Sequence, residues 1–117
     1  INTLQAMAID PRSGRPVIGA TFAGLSGPAI KPVGLRMVYQ VARAVDAPVV
    51  GCGGVTTAED ALEYIEAGAS AVQVGTATFA NPYAPVEILH GLAAALEARG
   101  VASLSDVRGL AHLKQRR

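Results

Sequence analysis

Two glycine-containing runs, residues 51–54 (Gly-Cys-Gly-Gly) and residues 75–76 (Gly-Thr), decide how this chain folds. The first run directly follows the apolar residues 47–50 (Ala-Pro-Val-Val), and the second directly follows residues 71–74 (Ala-Val-Gln-Val). Each pattern is typical of a buried strand that ends in a glycine turn, and the segment between the turns is one helix long. Adjacent parallel strands would place both turns side by side, where backbone N–H groups form a cradle for an anion. The sequence therefore predicts a phosphate-bearing ligand.

The composition is typical of a well-buried α/β protein rather than of a helical bundle or a disordered tail. Half of the 117 residues are apolar, 16% are charged and 13 are glycine. The net charge of +1 and the scarcity of aromatic residues argue against a nucleic-acid partner. No apolar run reaches the roughly 20 residues that span a bilayer. The single cysteine favours a reducing compartment, so we expect a cytoplasmic protein without a membrane partner.

Turn and capping signals divide the chain into three strand-helix units. The predicted elements are, in order, a strand ending within residues 1–7, a turn at 10–14, a helix at 32–45, a strand at 48–52, a helix that opens in a capping box at 56–59 and runs through Ile65 to Gly68, a strand at 70–75, a helix from about Pro85 to Gly100, and a short helix at 103–110. We interpret the apolar stripe of the first helix as core packed on the sheet; its members are Val33, Met37, Val38, Val41, Ala42 and Val45.

The alternation of strands and helices predicts a parallel sheet. Three parallel strands alone would leave two bare edges and need cover on both faces. We therefore interpret residues 1–113 as the C-terminal part of a phosphate-binding (β/α)8 (TIM) barrel, incomplete as a domain. The start at Ile1 rather than at a methionine agrees with a piece of a longer chain. A small doubly wound α/β domain is the alternative, and residues 114–117 are predicted to form a basic, solvated tail.

Three turns are candidates for holding the anion. Gly53, Gly54 and Gly75 would offer backbone N–H donors, unless these glycines serve the backbone alone. The hydroxyl of Thr76 would either add a contact or cap its own turn. The turn at residues 24–27 precedes the long helix, whose dipole favours an anion at that end.

The remaining polar residues carry weaker signals. Asn2 and Thr3 follow a strand end, where an amide can donate to and accept from a planar heterocycle. Lys31 opposes the dipole of the long helix, which a bound anion or a carboxylate would relieve, and we expect this lysine to be solvated. Cys52 has no neighbouring histidine to activate it, and neither histidine has the spacing of a metal ligand. A catalytic base would have to come from sequence outside this chain.

Five segments together resemble the flavin-dependent dihydroorotate dehydrogenases, and the resemblance is strongest to the NAD-linked catalytic subunit. They are residues 1–4 (INTL), 7–10 (MAID), 24–32 (GLSGPAIKP), 53–55 (GGV) and 75–76 (GT). Order and spacing agree to about Leu113, and the run at 24–32 is the most specific piece. The resemblance implies the C-terminal part of an FMN-binding barrel enzyme, starting near the end of the sixth strand. That enzyme oxidises dihydroorotate to orotate in pyrimidine (UMP) biosynthesis.

The resemblance also assigns roles to individual residues. It implies FMN contacts at Ile1, Gly27, Gly53, Gly54, Gly75 and Thr76, the last four around the phosphate. It implies that Asn2 and Thr3 bind dihydroorotate or orotate. No metal site is expected, because the sequence shows no cluster with the spacing of metal ligands. In the NAD-linked kind of this enzyme a cysteine base removes a proton from substrate C5 while flavin N5 takes a hydride from C6. Cys52 does not match that base, which the resemblance places upstream of Ile1, so we expect this segment alone to be inactive.

Partners and exceptions follow from the same resemblance. Electrons would leave FMN for a separate iron-sulfur and FAD subunit that reduces NAD, and the full-length protein would be a homo-oligomer. Ala6 and Ala23 stand where the family has glycine, and either alanine would be strained if its φ were positive. Two other functions stay open: a related flavin barrel such as dihydropyrimidine dehydrogenase, and a non-redox phosphate-binding half-barrel.

Overall fold

The computed structural model describes residues 3–113, a mixed α/β chain. The strands are β1 (Gln5–Ala6), β2 (Ile9–Asp10), β3 (Arg15–Pro16), β4 (Ala23–Gly24), β5 (Val50–Cys52) and β6 (Ala71–Gln73). The helices are α1 (Lys31–Ala44), α2 (Ala58–Glu66), α3 (Ala77–Ala80), α4 (Ala84–Ala98), α5 (Leu104–Val107) and α6 (Leu110–Leu113), with a 3₁₀ turn at Pro28–Ile30 before α1. The predicted tail at 114–117 lies outside the described residues.

The strands β5 and β6 form a parallel pair, which confirms the prediction drawn from the two glycine runs. Val50 pairs with Ala71 and Cys52 pairs with Gln73, so both strands end at the same edge. The strands have three residues each and are shorter than the predicted spans 48–52 and 70–75. The turns that follow them are therefore neighbours.

One face of this parallel pair is bare within the described residues. Val50 is 51% exposed, and Cys52, Ala71 and Gln73 are exposed on the same face. The opposite face packs on helices, because residues along a strand point alternately to its two sides. A parallel sheet is normally covered on both faces, whereas this pair is covered on one face only within the described residues.

The N-terminal region corrects the predicted three-stranded parallel sheet. Within residues 3–113, β1 pairs with β4 in antiparallel fashion, and neither strand joins β5. The predicted turn at 10–14 is confirmed, since it connects β2 to its antiparallel partner β3. Its Asp10 carboxylate accepts hydrogen bonds from the Arg12 N–H at 2.9 Å and the Ser13 hydroxyl at 2.7 Å. Sequence periodicity could not reveal these strands because each is only two residues long.

The two alanines that depart from the family pattern lie opposite each other. Ala6 in β1 pairs with Ala23 in β4. Neither has a positive φ; among the described residues other than glycine, only Thr21 does. The predicted condition for strain at these alanines is therefore not met.

The first helix is close to its predicted span, but its apolar stripe is not closed core. It runs over Lys31–Ala44, against the predicted 32–45. Of the predicted stripe only Val38 is buried. The members that instead line an open cavity are Val33, Met37, Val41 and Val45.

The remaining helices follow the predicted signals with local corrections. The capping box of α2 is one residue later than predicted: the Thr57 hydroxyl accepts from the Asp60 N–H, and the Asp60 carboxylate accepts from the Thr57 N–H. Gly68 and Gly100 follow α2 and α4 with φ of +113° and +66°, as expected of glycines that end helices. The predicted helix at 103–110 is divided into α5 and α6. The sequence reasoning missed α3.

Helix α2 lies at the centre of the hydrophobic core, between α1 and α4. The buried residues of this core are Val38, Val55, Ala61, Leu62, Tyr64, Ile65, Ala67, Ala69, Ile88, Leu92 and Val107. The radius of gyration is 16.7 Å, against the roughly 13 Å expected of a compact domain of this length. Among the helices of the described part, none is long and apolar enough to cross a bilayer.

Candidate functional site

A single cavity collects the predicted site residues that the structure describes. Its volume is about 640 Å³, within the usual range for ligand sites, and it extends from the ends of β5 and β6 along α1. The predicted residues that line it are Thr3, Gly27, Gly53, Gly54, Gly75 and Thr76. Ile1 and Asn2, the other two predicted contacts, lie outside the described residues. Residues far apart in sequence thus meet at one place.

The turn after β5 has a backbone that only glycine adopts easily. Gly53 and Gly54 have φ values of +125° and +69°. A Cβ on Gly54 would lie 2.7 Å from the carbonyl oxygen of Gly27 and 2.9 Å from the backbone nitrogen of Lys31. The turn therefore packs directly against the segment that leads into α1. This contact brings the predicted third turn to the edge of the sheet.

The turn after β6 is open. A Cβ on Gly75 would meet no atom within 4 Å, although Gly75 lines the cavity. Thr76 occupies the N-cap position of α3, but its side chain makes no capping hydrogen bond. Thr78 instead donates from its N–H and its hydroxyl to the Gly75 carbonyl, at 2.9 Å and 2.8 Å. The capping alternative for Thr76 was therefore wrong, and Thr76 is one of the residues that line the cavity.

The backbone N–H groups of these turns suit an anion. Among the turn and loop hydrogen bonds of residues 3–113, none is donated by the N–H groups of Gly53, Gly54, Gly75 or Thr76. No carboxylate is among the described residues that line the cavity, so none of these side chains carries a negative charge that would repel an anion. N–H donors at two adjacent strand ends, beside a helix start, form the kind of cradle that binds phosphate.

Lys31 is paired with carboxylates rather than free in solvent, which provides the relief that the sequence left open. Its Nζ lies 2.6 Å from Oδ1 of Asp60 and 3.1 Å from Glu63. Hydrogen bonds to Asp60 and Glu63 raise the pKa of Lys31. The expectation of a solvated lysine was wrong because the residues that bind it belong to α2, about 30 positions away.

Asp60 connects α2 to both neighbouring segments. It is 8% exposed, and its second carboxylate oxygen accepts from the Thr56 N–H and hydroxyl and from the Thr57 N–H, at 2.7–3.0 Å. Burial by itself raises the pKa of Asp60, but hydrogen bonds from Lys31 and Thr56 outweigh burial and hold this pKa well below its usual range. The carboxylate therefore remains ionised and fixes the segment that follows Gly54.

Sequence reasoning missed several residues at or behind the cavity. Ser26, Thr56 and Gln73 add polar groups to the lining, and Cys52 is the one titratable side chain among the described lining residues. Tyr64 lies behind the lining, where its hydroxyl donates to the Gly53 carbonyl at 2.8 Å. Its sequence signal was a tyrosine within the apolar stripe of α2, which periodicity alone assigns to the core.

Apart from the Cys52 thiol, the described residues of this cavity offer groups that bind a ligand rather than groups that transfer protons. The lining contains no histidine, lysine, arginine or carboxylate among the described residues. His112 lies elsewhere: its Nε2 is 2.9 Å from the Ala67 carbonyl, and its ring is 4.2 Å from that of Tyr39. Within residues 3–113, no group of three or more His, Cys, Asp or Glu side chains is placed to hold a metal.

Comparison with known proteins assigns a family to this constellation. The sequence profile of dihydroorotate dehydrogenase matches residues 1–96. The catalytic subunit of dihydroorotate dehydrogenase B (NAD(+)) from Pelobacter propionicus is 61% identical over 109 residues, which is 93% of this chain and 36% of that protein. The subunit of the same name from Desulforamulus reducens is 55% identical over 113 residues, 97% of this chain and 37% of that protein.

A third relative differs in its named electron acceptor. It comes from Solibacter usitatus, carries the provisional name dihydroorotate dehydrogenase A (fumarate), and is 57% identical over 109 residues, 93% of this chain and 36% of that protein. The chain spans little more than a third of the length of the curated relatives it matches.

Proposed function

The chain belongs to the dihydroorotate dehydrogenase family, and from this membership we propose that the intact protein oxidises dihydroorotate to orotate in pyrimidine biosynthesis, with FMN as its cofactor. The segment described above supplies the cradle for the FMN phosphate and part of the substrate site. The observation that carries this proposal is the single cavity lined by all six predicted site residues of the described range.

The geometry of the cavity fits the phosphate end of FMN. The space beside Gly75 is open because the glycine has no side chain to fill it. The N–H groups of Gly53, Gly54, Gly75 and Thr76 donate no turn or loop hydrogen bond among the described residues. These four residues would hold the phosphate, while Ile1 and Gly27 would contact other parts of FMN. Asn2 and Thr3 would bind the substrate ring.

The side chains that line the cavity indicate which part of the reaction this segment serves. Bound FMN supplies the hydride acceptor for substrate C6. Only the Cys52 thiol could titrate in the described lining, and no histidine, lysine or carboxylate lines the cavity beside it to activate it. We therefore assign these residues to binding and orientation, and the base to another part of the protein. The 117 residues alone are therefore expected to show no turnover.

The bare face of β5 and β6 supports a place within a larger barrel. Parallel strands with one uncovered face, together with the large radius of gyration, fit the C-terminal part of a (β/α)8 barrel over residues 1–113 better than a small closed domain. Residues 114–117 form its basic tail. The remaining strands would cover the exposed face at Val50 and Gln73.

The relatives' names support a partner subunit. Two of them are catalytic subunits of NAD-linked enzymes, which fits an electron-transfer subunit with iron-sulfur and FAD groups that reduces NAD. The protein is a cytoplasmic homo-oligomer in this proposal. Fumarate is the acceptor to compare with NAD, because one relative bears that name.

A spectrum and an assay test the function. The purified intact protein should show flavin absorbance, release FMN on denaturation, and bleach when dihydroorotate is added without an acceptor. A protein that contains no flavin and takes up none on reconstitution would overturn the cofactor assignment. Bleaching by dihydrouracil but not by dihydroorotate would instead assign the related dihydropyrimidine chemistry. Adding NAD or fumarate then identifies the acceptor.

A further inference from the structure

Tyr64 is a buried tyrosine whose hydroxyl has a specific task at the glycine turn. Its side chain is 0% exposed, and its hydroxyl donates to the Gly53 carbonyl at 2.8 Å, with the Lys31 carbonyl farther away at 3.5 Å. Burial raises the pKa of Tyr64, so the hydroxyl remains protonated and a donor at neutral pH. The bond joins the core helix α2 to the edge of the sheet.

The ring and hydroxyl of Tyr64 occupy space that is free only because two neighbouring residues are glycine. A Cβ on Gly51 would lie 2.6 Å from the Tyr64 ring, and a Cβ on Gly34 would overlap the Tyr64 hydroxyl. Gly51 thus serves the core rather than the cavity. With its ring fixed between β5 and α1, Tyr64 presents its hydroxyl to the Gly53 carbonyl in a fixed direction.

The direction of the Gly53 carbonyl sets the direction of the next N–H. In a trans peptide the C=O and the N–H point to opposite sides, and the structure contains no cis peptide bond in its described part. Tyr64 does not line the cavity, whereas Gly53 and Gly54 do. A Gly53 carbonyl that accepts from Tyr64 therefore turns the Gly54 N–H away from Tyr64.

A turn of two glycines needs such a restraint. Both residues have positive φ, and glycine peptides rotate with little steric hindrance, so a flipped peptide would bring a carbonyl oxygen toward the anion. We propose that Tyr64 is a positioning residue that locks the peptide between Gly53 and Gly54 with its N–H toward the FMN phosphate, an inference that rests on the function proposed above.

The test compares FMN with riboflavin, which lacks the phosphate. In the intact apoprotein, Tyr64→Phe keeps the ring and removes only the hydroxyl. We expect the dissociation constant of FMN to rise about tenfold while that of riboflavin stays within about twofold of the wild-type value. Tyr83→Phe, at a tyrosine that is 71% exposed, is the matched control and should change neither constant.

Each outcome separates the two proposals. An unchanged ratio of FMN to riboflavin affinity in Tyr64→Phe, or an equal loss of both affinities, would overturn the positioning role alone. A wild-type protein that binds FMN no better than riboflavin would overturn the phosphate cradle itself, and the role of Tyr64 with it.

Hydrogen exchange of the wild-type protein provides a second test that does not depend on the folding of a variant. The Gly54 N–H should exchange fast in the apoprotein and with riboflavin, and slowly with FMN. Equal protection of this N–H by both flavins would contradict the proposed orientation.

Discussion

The turn at residues 53–54 and the turn at residues 75–76 end neighbouring parallel strands, but different contacts hold them. The first glycine carbonyl of the earlier turn accepts a hydrogen bond from Tyr64, which lies in the core. The Gly75 carbonyl of the later turn accepts from Thr78, three residues further along the chain, and from no other residue in the turn and loop bonds of the described part. The earlier turn is therefore tied to the core, and the later turn is tied to itself.

The difference shows that the same residue type serves two purposes at one cavity. A Cβ on Gly54 would overlap backbone atoms of the chain, whereas a Cβ on Gly75 would enter open space at the cavity. The fold therefore requires glycine at position 54 whether or not a ligand binds. At position 75, only a ligand in the cavity would make glycine necessary.

Substitution of Gly54 should give the largest effect on stability. Gly54→Ala combines the strain of a positive φ with overlap at 2.7 Å, and we expect the free energy of unfolding to fall by about 3 kcal/mol in urea unfolding. The matched control is Gly100→Ala: its φ of +66° is close to the +69° of Gly54, but its Cβ has no neighbour within 4 Å. Strain alone should cost about 1 kcal/mol there. Equal losses in both variants would show that the tight packing of the first turn is not required.

The carboxylate that braces the first turn should give the next effect. Asp60→Asn removes the charge that binds Lys31, and we expect a loss of about 2 kcal/mol in the free energy of unfolding at pH 7. Glu66→Gln breaks the exposed ion pair with Arg99, which has the same 2.6 Å separation, and should cost less than about 0.5 kcal/mol. Similar losses would mean that burial of Asp60 contributes nothing.

The pH dependence of the same variant follows from the lowered pKa of Asp60. The pKa of an aspartate in the unfolded chain is about 3.9, and the pKa of the folded Asp60 is lower. The ionised carboxylate therefore contributes its full stabilisation above the unfolded pKa. The difference in stability between wild type and Asp60→Asn should be constant from pH 5 to pH 8. It should shrink as the pH falls below about 4. A difference that grows on acidification would contradict the ion pair.

Substitution in the second turn should affect ligand binding and leave stability nearly unchanged. Gly75→Val places a branched side chain in the open space of the cavity, and we expect FMN to bind about tenfold or more weakly in a fluorescence titration. Gly19→Val, another glycine with open space and an ordinary φ, should leave FMN affinity unchanged. If Gly75→Val bound FMN normally, this turn would not approach the phosphate.

The smallest effect is expected where this chain has alanine and the family pattern has glycine. Ala6→Gly together with Ala23→Gly would add backbone freedom to the facing strands β1 and β4, at a cost of about 1 kcal/mol in the free energy of unfolding. A thermal melt of the double variant measures this cost. Stabilisation instead would mean that the two alanines strain the ladder, and that glycine is needed in this region as well.

The sequence predicted which residues line one cavity more fully than it predicted how the strands pair. Gly53, Gly54 and Gly75 could be placed together because their turns follow strands separated by one helix. Helices α1, α2 and α4 were predicted because stripes and end signals extend over ten or more residues. The ladder of Ala6 and Ala23 was not, since two-residue strands carry no period.

What the sequence by itself determined is the local order: two strands, the helix between them, and glycine turns that must lie at one edge. Apolar spacing, capping and the crossover rule are all properties of neighbouring residues. Only the tertiary structure decided that Gly54 is required by packing while Gly75 is not, that Lys31 binds Asp60, and that Tyr64 holds the Gly53 carbonyl. These contacts join residues 11 to 29 positions apart, and they exist only once the helices have packed on the sheet.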